Sequence, residues 1–351
     1  MAAEARILTE TELNRALLAR QLLMERAKVP LPSVLERMGT LQAQYAPSMY
    51  IGLWSRLAGF KRDQLDQALE RRSVAQGTLM RSTIHLVSKA DYWPAAIGVR
   101  RGRREAWLNT SYRKDYSASQ MSDAARKLRS RLGDGTMSRK EIHELLGEDS
   151  VVTNGVNMWI DLIRVPPSGT WDRRRADLYA AADRWLGEPP KELDERAGIE
   201  LLVRRYLTGF GPAPIADIAG WAGLHPKRVK PVLEGMKLRS FSAEDGEELI
   251  DLPRAPLPDP ETPAPVRFIG TWDAMLLTHA RRTGVLPEEH RPKVFNTRTP
   301  QSMPTFMVDG RVAGSWKFEK GKVKPEPFER LDGAAKRELR EESERLAELH
   351  A

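Results

Sequence analysis

Residues 212–236 read PAPIADIAGWAGLHPKRVKPVLEGM, and this stretch decides the fold class. Ile215, Ile218 and Ala219 recur at helical spacing and form one apolar stripe. Gly223-Leu224 supplies a turn, and Pro226 suits the start of a second helix, where its missing N–H would have no partner. Val229, Val232, Leu233 and Met236 face inward from that helix. Lys227, Arg228 and Lys230 fall in its first turns, where a recognition helix meets DNA. Beyond it, KLRSF (237–241) and EELIDL (247–252) flank Asp245-Gly246, a hairpin signal that predicts the wing of a winged helix.

Two further stretches follow the same grammar. Ser138 and Glu141 have capping-box spacing and predict a helix over 139–146, then another over 152–164 and a hairpin around Gly169-Thr170-Trp171. Thr9 and Glu12 repeat that spacing ahead of a helix to about Met24. A helix opening near Ser33 carries Val34, Met38, Leu41 and Tyr45 on one stripe and should end at Pro47. Residues 74–80 and 83–87 read as paired strands. The proline-rich run 252–265 ends the helical part, and strands at 266–269, 305–308, 312–318 and 322–325 precede a charged helix over 333–350. The expected fold is mainly α with β: tandem winged-helix units followed by a small C-terminal β subdomain. Boundaries fall at 1–118, 119–190, 191–255 and 256–351.

Composition narrows the function. The chain has 351 residues, a net charge of +8 and no cysteine. A disulfide framework and thiolate metal sites are therefore excluded. Its histidines (His85, His143, His225, His279, His290, His350) show no paired ligand spacing, so no metal and no cofactor is expected. No apolar run reaches membrane-spanning length, and no signal-peptide pattern is read, which predicts a cytoplasmic chain with no membrane partner. Basic runs at 100–104, 126–131, 173–175, 227–230 and 317–324 suit phosphate contacts; each alone also reads as a solvated helix face. Tandem DNA-binding units make a monomer the expected state.

The ordered set LQAQ (41–44), MRSTIHLVS (80–88), RYLTGFGPAPIADIAGW (205–221), FIGTWDAMLLTHARR (268–282) and MVDGRVAGSW (307–316) resembles the AlkZ/AlkX (YcaQ) group of winged-helix DNA glycosylases. The resemblance runs along nearly the whole chain and departs from many relatives at Trp272 and Thr278-His279. It implies removal of alkylated bases from double-stranded DNA without metal or cofactor, in base excision repair or in self-resistance to a DNA-alkylating natural product. The group signature is Gln-aliphatic-Gln in one branch and Gln-aliphatic-Asp in the other, and Gln42-Ala43-Gln44 places this chain with the first. The resemblance also implies a hairpin that inserts into the duplex, with the Arg173–Arg175 region and the Gly310 turn as candidates.

The implied site residues are Gln42 and Gln44. A purine alkylated at N7 or N3 is already cationic and leaves neutral, so no general acid is needed. What remains is to orient a water under C1′ and to stabilise an oxocarbenium-like sugar, and amide oxygens can do both. Residues two apart on a helix point to different sides, so this pair converges only if the helix is ending. Without the resemblance they read as two surface glutamines. Thr83 and His85 share one face of a strand and are candidates for touching the lesion or ordering the water; a buried structural histidine is the alternative. Arg81 is read as a phosphate ligand or an exposed wing residue. Arg173, Arg174, Arg175, Lys227, Arg228 and Lys230 are the other candidate DNA contacts. No lysine is singled out as an imine-forming nucleophile, so hydrolysis without strand cleavage is expected. The competing reading is a winged-helix DNA-binding or regulatory protein without catalysis.

Overall fold

The computed structural model describes residues 6–110, 115–147, 149–277, 283–295 and 302–351. Strand β1 (Ile7–Leu8) leads into α1 (Glu10–Arg20), whose capping box closes in both directions. Glu12 N–H donates to Thr9 Oγ1 at 3.2 Å, and Thr9 N–H donates to the Glu12 carboxylate at 2.8 Å. The helix stops at Arg20, short of Met24, because Leu22 turns left-handed with φ +57°.

Helix α2 (Leu31–Met38) also ends early, and this corrects the expected helix through Tyr45. Gly39 and Thr40 both take left-handed φ, +77° and +81°, and reverse the chain. Residues 41–42 then form strand β2 (Leu41–Gln42). Pro47 opens the next helix, α3 (Ala46–Arg56), where a proline is tolerated in the first turn. Helix α4 (Arg62–Glu70), strands β3 (Val74–Thr78) and β4 (Ile84–Ser88) and the long α5 (Lys89–Leu108) complete this part.

Next come α6 (Ala118–Leu132), β5 (Thr136–Ser138) and α7 (Arg139–Leu146), the last with the expected Ser138–Glu141 capping box. The helix expected over 152–164 is instead α8 (Ser150–Gly155), a single 3-10 turn and β6 (Leu162–Arg164). Gly155 lies under Trp107, where an added Cβ would come within 2.5 Å of the indole. Strand β7 (Leu178–Ala181) and the short α9 (Ala182–Leu186) follow. These strands join those before them in one antiparallel sheet of order β2-β4-β3-β6-β7-β5.

Helix α10 (Glu195–Phe210) packs on α5 at glycine-to-glycine contact: an added Cβ on Gly98 would sit 2.7 Å from the Gly198 carbonyl carbon. The helix-turn-helix is α11 (Ile215–Ala222) and α12 (Pro226–Leu233), with Gly223 left-handed between them as the sequence predicts. Its wing is β8 (Arg239–Ala243) and β9 (Glu248–Asp251), turning at Gly246. Strand β1 adds to β8 in parallel, a long-range pairing with no local signal. The C-terminal part holds β10 (Arg267–Ile269), α13 (Ala274–Leu277), α14 (Arg291–Val294), β11 (Thr305–Val308), β12 (Arg311–Glu319), β13 (Lys322–Pro327) and α15 (Gly333–His350). Its four strands form one antiparallel sheet in the order β10-β11-β12-β13. The whole is mainly α with β, tandem winged-helix units closed by a small β region. No helix among the described residues is long and apolar enough to cross a membrane.

Candidate active site

Gln42 and Gln44 stand on the extended segment between the Gly39-Thr40 reversal and α3. Leu41 pairs with Leu86 and Gln42 with His85 across the ladder, and Ala43 N–H donates to the Ile84 carbonyl at 2.7 Å. Alternation along an extended chain sends Leu41 and Ala43 into the core and both glutamines to the other side. The two amides therefore converge because the chain is extended there, and no helix end is needed. Gln42 is buried, at 6% exposure, whereas Gln44 is exposed. Gln42 Nε2 donates to Gln44 Oε1.

The turn between β3 and β4 supplies the neighbours. Arg81 and Ser82 are both left-handed, with φ +51° and +59°. Arg81 Nη2 donates to Gln42 Oε1 at 3.1 Å and lies 3.4 Å from His85 Nε2; Nη1 donates to the Trp221 carbonyl near the end of α11. Burial lowers the guanidinium to about 10, which leaves it charged at neutral pH. His85 lies directly opposite Gln42. Burial first, and then the charge of Arg81, hold its imidazole down at about 3, so it is neutral. Nδ1 is 3.0 Å from the Thr83 carbonyl, which only accepts, and a guanidinium only donates. The neutral ring accordingly carries its proton on Nδ1 and presents the Nε2 lone pair to Arg81. The Thr83 hydroxyl donates to the Met80 carbonyl at 3.1 Å and closes the turn. Among the described residues, no carboxylate hydrogen-bonds to either amide or to His85.

The remaining candidates divide by location. Arg174 reaches Tyr45, next to Gln44: its Nη1 donates to Tyr45 Oη at 3.2 Å. The segment 165–177 that carries it is anchored where Trp171 N–H donates to Tyr50 Oη at 3.1 Å. Arg173 and Arg175 are exposed and lie 3.4 and 3.8 Å from Asp177. On α12, Lys227 and Lys230 are exposed, but Arg228 is held between Glu105 at 2.6 Å and Glu195 at 2.8 Å and braces α12 to α5 and α10. The Gly310 turn, one of two hairpins considered for insertion, is docked on α1: Asn14 Nδ2 donates to the Gly310 carbonyl at 2.9 Å, and Arg15 pairs with Asp309 at 2.7 Å. Asp161 and Asp273 serve ion pairs with Arg100 and Arg56. Thr278 and His279 lie outside the described residues.

One cluster among the described residues could offer metal donors: Glu289, His290 and Glu329, in the C-terminal part. It lies on other elements than the amide pair. Sequence reasoning missed two acceptors around that pair, one for Arg81 and one for Arg174. The Trp221 carbonyl is backbone and leaves no trace in side-chain pattern, while Tyr45 was assigned to a helix stripe although its place beside Gln44 could have marked it. Chemically, the pair can accept a hydrogen bond from a water and present amide dipoles to positive charge. It offers no strong proton acceptor.

A family model described as DNA glycosylase AlkZ-like matches residues 35–349. Among solved structures, Streptomyces sahachiroi DNA glycosylase AlkZ superimposes with a TM-score of 0.83, over 98% of this chain and 97% of that one. The identity is 19%, so this likeness speaks to the fold. None of the curated proteins gives a significant match.

Proposed function

Because the chain belongs to the AlkZ-like DNA glycosylase family, we propose that it hydrolyses the N-glycosidic bond of cationic alkylated purines in double-stranded DNA. N7-alkylguanine is the first substrate class, bulky adducts included, and the product is an abasic site. The observation that carries this reading is the pairing of two neutral amides on an extended segment, with no carboxylate among the described residues bonded to them.

A base with a formal positive charge takes the glycosidic electron pair and departs neutral. Water adds at C1′ and its proton passes to solvent. The amides need only orient that water and turn their oxygens toward the developing cation. Uracil and 8-oxoguanine, which are not cationic, lie outside what such a site can release. No lysine bonds to the amide pair among the described residues, and we expect no strand cleavage. Exposed Arg173, Arg174, Arg175, Lys227 and Lys230 are assigned to the DNA backbone. The segment 165–177, beside Tyr45, is favoured over the docked Gly310 turn as the part that enters the duplex. We assign the roles to a cytoplasmic monomer divided at 1–118, 119–190, 191–255 and 256–351.

The test is base release from a duplex carrying a single N7-methylguanine. Wild type should form abasic sites, and Gln44→Ala should lower the single-turnover rate by roughly a hundredfold or more. Gln42→Ala should lose comparable activity and also some stability, since it leaves a buried Arg81 donor without its acceptor. Tight DNA binding with no release from this lesion, and none from a bulky intercalator adduct, would favour a non-catalytic DNA-binding protein.

A further inference from the structure

The two amides are not equivalent, and Arg81 makes them unequal. A guanidinium has five N–H donors and no acceptor. The Gln42 atom 3.1 Å from Arg81 Nη2 is therefore the carbonyl oxygen, and the amide nitrogen is turned to Gln44. An amide nitrogen only donates, so Gln44 meets it with Oε1. Hydrogen-bond polarity thus runs one way, from Arg81 through Gln42 to Gln44. Gln42 is buried with its oxygen and its nitrogen both engaged. Gln44 is exposed, and its oxygen keeps a second lone pair.

The position of Arg81 is itself fixed from two sides. Within the β3–β4 turn, Leu79 N–H donates to the Thr83 carbonyl at 3.0 Å, which holds the two left-handed residues in place. From outside, the helix-turn-helix presses on it: a Cβ on Gly223 would lie 2.7 Å from Arg81 N. The Arg81 guanidinium also donates to the Trp221 carbonyl, in the last turn of α11, where carbonyls lack helical partners. Its hydrogen bonds all run inward, to Trp221, Gln42 and His85, which is not the posture of a phosphate ligand.

We infer that Arg81 is a positioning residue: it fixes the Gln42 amide so that Gln44 Oε1 is the atom that meets the water, and it ties that atom to the helix-turn-helix of α11 and α12. This rests on the base-releasing reading of the two amides.

Arg81→Met and Arg81→Lys test it, by single-turnover base release and by DNA affinity measured across a salt series. Arg81→Met should lower the release rate at saturating enzyme about a hundredfold, the scale of a displaced reacting group, while affinity and salt slope hold. Arg81→Lys keeps the charge but cannot span both acceptors, and should recover part of the rate. In a Gln42→Ala background, Arg81→Met should add nothing further. The inference is overturned if Arg81→Met weakens binding and reduces the salt slope by about one with the saturated rate intact, the behaviour of a phosphate contact. Losses that multiply between Arg81→Met and Gln42→Ala would sink it as well. A readout independent of turnover is the Gln42 side-chain NH2 resonance in 15N-labelled protein. It should shift and lose exchange protection in Arg81→Met, and an unmoved resonance removes the tie. Wild type that releases no cationic base refutes the reaction reading, while a resonance that still responds upholds the tie itself.

Discussion

His85 sits opposite the buried amide and carries no charge at neutral pH, which has a measurable consequence for stability. Its folded value of about 3 lies below the usual 6.5, so between those values the unfolded chain is the better proton binder. The group leaves stability unchanged above pH 6.5 and removes it as the pH falls from 6.5 toward 3, by at most about 1.4 kcal/mol per pH unit. His350, stacked on Phe318 and lowered to about 4 by burial and then by Arg62 and Arg174, slopes the same way. Urea midpoints from pH 7.5 to 4.5 should fall for wild type, and His85→Gln should flatten that slope; identical slopes would remove His85 from the account. At this scale the sequence marked the participants. Gln42, Gln44, Arg81 and His85 were all singled out, and they form one hydrogen-bonded cluster. Their roles toward each other were not legible, because donor direction and burial depend on what lies across the ladder.

Elements were legible wherever a local rule acted alone. The capping boxes at Thr9 and Ser138, the Gly223 turn and the Asp245-Gly246 hairpin all follow from nearest-neighbour chemistry. Residues 33–45 were misread because Val34, Met38 and Leu41 are buried both as a continuous helical stripe and as a helix followed by a strand, so their period could not separate the two. The break was present as Gly39, the residue suited to a left-handed helix end. Gly39→Ala tests its part in aiming the amides. Beyond the left-handed φ, a Cβ there would meet the Phe210 ring at 3.0 Å and the Arg205 carbonyl at 3.1 Å. A loss of about 1–3 kcal/mol is expected in denaturant unfolding, with a drop in base release at 25 °C where the variant remains folded. Wild-type values for both would show that the reversal does not depend on glycine.

The molecule as a whole is tied by buried ion pairs between distant stretches. Arg20 and Asp251 form a two-point pair at 2.7 and 2.9 Å, joining α1 to the wing. Arg56 and Asp273 do the same at 2.9 and 3.0 Å, joining α3, which follows the two glutamines, to the C-terminal part. Asp273→Ala would strand a fully buried guanidinium and should cost about 3–5 kcal/mol. Replacing both partners, Arg56→Met with Asp273→Leu, should recover most of that, because the loss comes from the uncompensated charge more than from the missing attraction. Denaturant midpoints of the three variants decide it; an equal loss in the double variant would point to packing instead.

By itself the sequence determined the winged-helix grammar, the C-terminal strands and the basic character, since each rests on propensity, capping, turn chemistry or charge within a few residues, whereas Gln42 and Gln44 stood out only through the resemblance to a family. Tertiary structure alone decided that residues 41–44 run extended, that β1 joins β8, and that β3 pairs with β6. It also decided that Arg81 points into the protein and that Arg228 braces three helices. Those outcomes follow from backbone hydrogen bonds and desolvated charges finding partners across the fold, and such partners can be remote in the chain.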